Sequence, residues 1–217
     1  MADVQRLGAY VIPGPATDPH AAVVEAEWAE RLGLGSIWES ELQGPVKDAA
    51  TICGYLGHAT EKIRIGTSIT HFTLRHPIIL ASWGATMQML TGGRFEFGFG
   101  RSSPLLFDTT GATPPTLQIM EDYATILRKL WAGETVTYDG PAGHYPRMEF
   151  LSAGMPPEVT PPPLLLAAVG PRTLELVGRV FDGVFLHPFL TPDAVQRSRL
   201  IIHKAAEEAG RDPASVR

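Results

Sequence analysis

Short apolar runs alternate with longer segments of helical periodicity along this chain, and no other feature constrains its fold as strongly. Runs of this kind are typical of buried parallel strands, and the segments between them are typical of the helices that connect such strands. The predicted strands are residues 7–12, 34–38, 63–69, 95–100, 164–169 and 183–186. The sequence therefore predicts an α/β chain of six βα units around a parallel sheet.

Residues that start and end helices stand where this arrangement requires them. Pro77 opens a predicted helix that Gly92 ends, and Thr191 is the predicted N-cap of the last helix. Proline suits the first turn of a helix, and glycine can adopt the left-handed conformation that closes one. We also expect a helix over 117–131, because its apolar residues fall on one stripe.

Two stretches interrupt the alternation. Residues 101–115 contain three prolines, and residues 135–163 are rich in glycine and proline. We expect irregular structure in both, and we predict that 135–163 is an insertion that forms a lid. The whole of 1–217 is predicted to be one domain. Six strands do not close an eight-stranded TIM-type barrel, so the sequence predicts a (β/α) barrel that lacks its last strands.

The composition narrows the classes of partner. The chain is 44% hydrophobic and 19% charged, with a formal net charge of −5 and basic residues scattered singly, which gives no footprint for nucleic acid. No apolar run is long enough to cross a bilayer, and no leader opens the chain. The single cysteine, Cys53, is predicted to pack in the core. We expect a cytoplasmic protein that acts on a small molecule.

Chemistry in a parallel barrel lies on the loops after the carboxyl ends of the strands. The candidate residues there are Glu41 after the second strand, Ser68, Ile69, Thr70 and His71 after the third, Gly100 and Arg101 after the fourth, and Val169, Gly170, Pro171 and Arg172 after the fifth. We expect Glu41 and His71 to handle protons. Gly100 permits close approach of a ligand ring, and relief of crowding inside the barrel is the alternative.

The end of the fifth strand has the features of an anion site. Gly170, Pro171 and Arg172 combine a flexible residue, a helix first turn and a cation, so backbone N–H groups and the helix dipole favour a phosphate. An ordinary turn with Arg172 in solvent is the alternative. His71 and His76 stand five residues apart without a carboxylate or thiol cluster, so no metal site is predicted.

Three segments carry a family resemblance. Residues 65–77 are IGTSITHFTLRHP, residues 91–95 are TGGRF, and residues 98–101 are GFGR. Together they resemble the bacterial luciferase-like superfamily, and within it the oxidoreductases that depend on coenzyme F420. The resemblance implies a TIM-type barrel that transfers a hydride between coenzyme F420 and a small organic substrate, with a flavin mononucleotide (FMN) monooxygenase as the alternative.

The resemblance also implies residue roles. A non-prolyl cis peptide that supports the isoalloxazine ring maps onto Ser68 and Ile69, and the family's anion site maps onto the segment from Gly170 to Arg172. Arg101, with Arg75 or Arg147, is expected to help neutralise the polyanionic tail of coenzyme F420.

Two departures keep a rival interpretation open. The Asp-His pair of some deazaflavin enzymes corresponds here to Glu41 and Leu42, and their acidic position after the fourth strand corresponds to Ser103. The proton-transfer roles of those enzymes therefore do not carry over, and sugar-phosphate dehydrogenase activity is not expected. Leu42 and the incomplete barrel favour a catalytically silent partner subunit as the second alternative. The family's dimers predict a homodimer whose interface uses the second and third helices, with Ala49, Ala50, Leu56, Trp83 and Met87.

Overall fold

A computed structural model describes residues 4–11, 18–41, 48–151 and 155–217. The strands are β1 (Gly8–Val11), β2 (Ser36–Glu39), β3 (Arg64–Thr67), β4 (Thr70–His71), β5 (Phe95–Gly100), β6 (Val136–Gly140), β7 (Gly143–Met148), β8 (Leu164–Ala167) and β9 (Gly183–Phe185). The helices are α1 (His20–Arg31), α2 (Ala49–Ala59), α3 (Pro77–Thr91), α4 (Pro104–Thr110), α5 (Leu117–Trp131), α6 (Pro171–Val180) and α7 (Pro192–Glu208). Short 3-10 turns span Val4–Arg6 and Pro213–Ser215.

The main sheet is parallel, in the order β1-β2-β3-β5-β8-β9, and β4 continues the line of β3 beside β5. All six predicted strands are present. Position 12, at the end of the first prediction, lies outside the described residues. In the part of the chain that the structure describes, β1 and β9 each pair with one neighbour. The sheet therefore forms the open part of an α/β barrel, as the sequence predicts.

The predicted helix signals are confirmed at three ends. α3 begins at Pro77, and Gly92 closes it in the left-handed conformation with φ 61°. Thr191 caps α7 by accepting a hydrogen bond from the backbone N–H of Ala194. The helix predicted over 117–131 is α5. Among the described ranges, none of these helices has the length and apolar character needed to span a bilayer.

Two predictions of irregular structure are wrong for part of each segment. Residues 101–115 contain α4, because Pro104 occupies a first turn where its missing N–H costs nothing, and Gly111 ends the helix at φ 69°. Residues 135–163 contain the antiparallel hairpin β6-β7. The hairpin packs on α5, where the Tyr138 hydroxyl donates to Asp122 over 2.5 Å. A lid role for this segment stays a prediction.

The surface proposed for a dimer is not a surface in this fold. Ala49, Leu56, Trp83 and Met87 are at most 8% exposed and belong to the core, and Ala50 packs against it. The prediction fails for these residues because the apolar faces of α2 and α3 lie against the sheet. Cys53 is buried in the same core, as predicted. Burial, followed by the negative charge of Glu39, raises the pKa of its thiol.

The inner face of the sheet, opposite the helices, is filled by two rings packed over glycines. Trp38 and Phe185 meet edge to face with centroids 4.9 Å apart. A Cβ at Gly66 would lie 2.4 Å from the Trp38 ring, and a Cβ at Gly98 would lie 2.5 Å from the Phe185 ring. The strands therefore need glycine at these positions, since real side-chain atoms do not approach so closely.

Candidate active site

A cavity of about 700 Å³ opens at the carboxyl end of the sheet. Its lining contains six of the predicted site residues, namely Glu41, Ser68, Ile69, His71, Gly100 and Arg101. These residues come from the ends of β2, β3, β4 and β5, which the parallel arrangement brings to one edge. Thr70 lies directly beneath, with its hydroxyl on the Glu41 carboxylate.

The backbone after β3 has the predicted cis peptide bond, between Ser68 and Ile69. Residues of β1 and β2, which lie on one side of β3 in the sheet, hold this bend. The Ser68 N–H donates to the Glu39 carbonyl over 2.7 Å, and the Glu41 N–H donates to the Ile69 carbonyl over 3.1 Å. The Tyr10 hydroxyl donates to the Ser68 carbonyl. The bend is thus fixed by hydrogen bonds from β1 and from β2 and its carboxyl end.

The bottom of the cavity is an apolar floor, made by the side chain of Ile69 across Gly100 and beside Ala167. A Cβ built on Gly100 would lie 2.7 Å from Cδ1 of Ile69 and 3.4 Å from Cβ of Ala167. The missing side chain of Gly100 therefore makes room for Ile69, which is the crowding alternative considered from the sequence. The result is an apolar surface on which a planar group can lie.

Glu41 is buried, and both of its carboxylate oxygens have partners. Oε1 accepts from Arg75, and Oε2 accepts from the Thr70 hydroxyl and, over 3.4 Å, from the backbone N–H of His71. Its contacts favour a structural role at the site over the predicted proton handling.

His71 is 4% exposed and is held in one tautomer. Its Nε2 lies 3.1 Å from the Glu41 carbonyl oxygen, which only accepts, so Nε2 carries the proton. Burial lowers the pKa of the imidazole, against the raising effect of Glu41. The ring is therefore neutral near pH 7, and its buried Nδ1 keeps a lone pair that has no hydrogen-bond partner among the described residues.

Arg75 is committed to the protein and is not available for a cofactor tail, so that prediction is wrong for this residue. Its guanidinium donates to Glu41 and, over 2.7 Å, to Asp48, and it stacks 5.2 Å from the centre of the Trp83 ring. Arg147, the other expected cation, lies on the hairpin and pairs with Glu149 over 2.7 Å.

The predicted anion site is at the N-terminus of α6. Gly170 is the N-cap residue, Pro171 is in the first turn, and no side chain of the described residues caps the helix. Val169, Gly170, Pro171 and Arg172 are all exposed, and they lie outside the lining of the cavity. The backbone therefore has the form predicted for a phosphate site. This segment directly follows β8, which lies next to β5 in the sheet and whose last residue, Ala167, lines the cavity.

Several cavity residues were missed by sequence reasoning. They are Tyr10, Ser40, Ser102, Leu105, Leu106, Thr109 and Ala167. Tyr10 and Ala167 lie near the carboxyl ends of predicted strands, so strand position was an available signal for both. The α4 residues had no signal, because that segment was predicted as a loop. Ser103 also lines the cavity, whereas Leu42 lies outside the described residues. Within the described ranges, no group of three or more His, Cys, Asp or Glu residues could hold a metal ion.

Comparisons with known proteins agree with this geometry. A 5,10-methylenetetrahydromethanopterin reductase from Methanolobus tindarius is 32% identical over 196 residues, which are 88% of this chain and 57% of the relative. An F420-dependent glucose-6-phosphate dehydrogenase from Beutenbergia cavernae is 34% identical over 192 residues, which are 82% and 55% of the two chains. The monooxygenase RslO1 from Streptomyces bottropensis superposes with a TM-score of 0.80 at 26% identity, covering 95% of this chain and 67% of that one.

The chain spans little more than half the length of the two curated relatives. The sequence profile of the luciferase-like monooxygenase family matches residues 5–217, which is nearly the whole chain. The parallel sheet, the cis peptide after its third strand and the cavity above it lie inside the matched region. The chain belongs to the luciferase-like monooxygenase family.

Proposed function

We propose that this chain is part of an oxidoreductase that binds coenzyme F420 at the carboxyl end of its sheet and exchanges a hydride with a small organic substrate. The observation that carries the proposal is the apolar floor, where Ile69 lies across Gly100 beside Ala167 and directly follows the cis peptide. Relatives named as F420-dependent support a deazaflavin as the ring that lies there.

The residues present fit such a ring. A cavity of about 700 Å³ is within the size range of small-molecule sites, roughly 300 to 1,000 Å³. Ser68, Ile69 and Gly100 would hold the ring from below, with Thr70 supporting the bend. Arg101 lies at the cavity wall, and the α6 N-terminus from Val169 to Arg172 would hold a phosphate through backbone N–H groups and the helix dipole.

Coenzyme F420, when bound, supplies two-electron hydride chemistry, and the protein supplies orientation and proton handling. His71 is the residue suited to move a proton, because it lines the cavity, its Nε2–H is engaged by the Glu41 carbonyl, and its Nδ1 has no hydrogen-bond partner among the described residues. A neutral imidazole at Nδ1 can accept the proton of a substrate hydroxyl as the alcohol is oxidised. Residues of α4 form one wall of the cavity beside His71.

FMN is the second candidate, and the ion pairs that Arg75 makes within the protein favour it. The tail of coenzyme F420 is polyanionic, and one of the cations expected to neutralise it is engaged with Glu41 and Asp48. FMN carries a single phosphate, which the α6 N-terminus alone can bind. The relative RslO1 is a monooxygenase, the activity that FMN would support in this family.

The two cofactors are separated by titrating the purified protein with coenzyme F420, FMN and riboflavin and following ligand fluorescence. We expect a submillimolar Kd for coenzyme F420. Riboflavin lacks the phosphate, so FMN should bind more tightly than riboflavin if α6 holds the anion. Arg172→Ala should weaken the phosphate-bearing cofactor about tenfold, within the range of one charge-assisted contact.

Arg31→Ala is the matched control, because it removes an exposed arginine at the end of α1, before β2 begins, and should leave every Kd unchanged. Binding of FMN but not coenzyme F420 would replace the first proposal with the monooxygenase. Binding of neither would favour a catalytically silent partner subunit. We further propose a homodimer in the cytoplasm, which size-exclusion chromatography with light scattering tests for its oligomeric part.

A further inference from the structure

Arg75 stands two residues before α3, and its side chain is held from several directions. The guanidinium is 19% exposed and contacts two carboxylates, Glu41 and Asp48, which belong to different parts of the chain. The guanidinium lies over the ring of Trp83. The backbone carbonyl of Arg75 accepts a hydrogen bond from the Tyr123 hydroxyl over 3.5 Å. An arginine bound in this way has one position, so any group that it holds is fixed in turn.

Glu41 connects Arg75 to the residues that line the cavity. Its carboxylate accepts from the Thr70 hydroxyl and the His71 N–H, its carbonyl accepts from the His71 ring, and its own N–H donates to the Ile69 carbonyl. One residue is therefore bonded to three consecutive residues of the segment that lines the cavity.

Charge makes Arg75 necessary to this arrangement. The Glu41 carboxylate is 9% exposed, and Thr70 and His71 offer it only neutral donors. Without the guanidinium, the side chain of Glu41 is expected to move toward water, because an uncompensated buried charge is strongly unfavourable. That movement breaks its hydrogen bonds to the 69–71 segment.

We propose that Arg75 is a positioning residue, which fixes the Glu41 carboxylate and through it the backbone of Ile69, Thr70 and His71 that forms the floor and the proton acceptor of the site. The inference rests on the proposed function for its second consequence, cofactor binding. Its first consequence, a rigid 69–71 segment, can be measured on the protein without ligand.

The test compares Arg75→Met with Arg128→Met. Arg128 is a matched control, because it also joins a carboxylate, Asp182 at 3.0 Å, to a backbone carbonyl, Val180 at 2.7 Å, and it lies away from the cavity. Hydrogen exchange, followed by mass spectrometry on the ligand-free protein, should be at least tenfold faster in peptides covering 67–72 for Arg75→Met. Arg128→Met should leave these peptides at the wild-type rate.

Cofactor affinity is the second readout. The Kd of whichever cofactor the wild type binds should rise about tenfold in Arg75→Met and stay unchanged in Arg128→Met. Arg75→Lys should give an intermediate value, because an ammonium lacks the fork that serves two carboxylates at once. Thr70→Val, which removes one donor at nearly constant volume, covers the case in which Arg75→Met does not fold, and it should also speed exchange at 67–72.

Unchanged exchange at 67–72 in folded Arg75→Met, or in Thr70→Val where Arg75→Met does not fold, would overturn the inference. Equal cofactor affinity in folded Arg75→Met and wild type would overturn it as well. A wild-type protein that binds neither cofactor would instead refute the proposed function, and the exchange measurement would still decide the role of Arg75.

Discussion

The two ends of the sheet use their polar side chains in different ways. At the amino end, Arg94 donates to the carbonyls of Gly57, Thr60, Ile63 and Thr91 over 2.7 to 3.2 Å. Glu30 there accepts from three successive backbone N–H groups of residues 61–63. At the carboxyl end, His71 Nδ1 and Arg75 Nε are buried without a hydrogen-bond partner among the described residues.

The difference separates stability from function. At the amino end, the charged side chains of Arg94 and Glu30 bind backbone groups of turns that would otherwise lack a hydrogen-bond partner. Their role is therefore structural. The carboxyl end leaves an acceptor unpaired beside a cavity, and an unpaired buried group weakens a fold unless a ligand completes it. Substitutions at the amino end should therefore change unfolding, and substitutions at the carboxyl end should change binding and rate.

The largest effect is expected at the amino end, from Arg94→Met. Removal of the guanidinium leaves several carbonyls without a donor, so the free energy of unfolding should fall by about 4 kcal/mol. Urea denaturation of the variant and the wild type measures it. The folded fraction should bind the cofactor with wild-type affinity. A loss of cofactor affinity without a loss of stability would contradict the assignment of stability to the amino end and of binding to the carboxyl end.

At the carboxyl end, His71→Gln should lower kcat about a hundredfold, the lower range for loss of a general base, with little change in cofactor Kd. In the wild type, kcat should stay constant as the pH falls to 6.5 and decline only below it, because burial lowers the pKa of His71 from 6.5. Steady-state rates against pH measure both. A variant with wild-type kcat would remove His71 from proton transfer.

The same histidine predicts a small pH effect on stability. Because its pKa is lower in the folded than in the unfolded chain, the unfolded chain binds the proton first as the pH falls. Stability from the neutral ring is therefore present above pH 6.5 and is lost as the pH drops toward the lowered value. His71→Gln should flatten this part of the unfolding profile.

The smallest effect is expected from a pair of glycine substitutions. Gly100→Ala places a Cβ 2.7 Å from the end of the flexible Ile69 side chain, so the floor should shift and cofactor affinity should fall about tenfold with little loss of stability. Gly54→Ala is the control, because no described atom lies within 4 Å of its Cβ and it lies in α2, outside the cavity lining. Equal affinities in the two variants would show that the floor does not contact the ring.

Apolar periodicity and helix-capping residues predicted those features of the fold that depend on residues close together in the sequence. Strand positions followed from apolar runs, and the ends of α3 and α7 followed from Pro77, Gly92 and Thr191. The sequence does not predict α4, because three prolines within 101–115 favour irregular structure, although proline is tolerated in a first turn. The hairpin β6-β7 was missed because its strands mix exposed polar residues with few apolar ones.

The candidate site was predictable in place but not in detail. Parallel strands bring their carboxyl ends together whatever their side chains, so Glu41, Ser68 and His71 could be assigned to one rim. The partners of Glu41 could not, because Arg75 and Thr70 are about thirty residues distant and their orientation depends on tertiary packing. For the same reason, no local pattern could distinguish a proton carrier from a structural carboxylate.

The indole of Trp38 has a consequence for how this sequence can diverge. Its ring occupies volume that Gly66 on the neighbouring strand leaves vacant. A side chain at position 66 would also meet the Glu96 carbonyl at 2.5 Å, so a smaller residue at 38 could not be compensated there. A substitution at only one of these two positions is therefore unfavourable. We expect Trp38 and Gly66 to be retained together in related chains that keep this sheet.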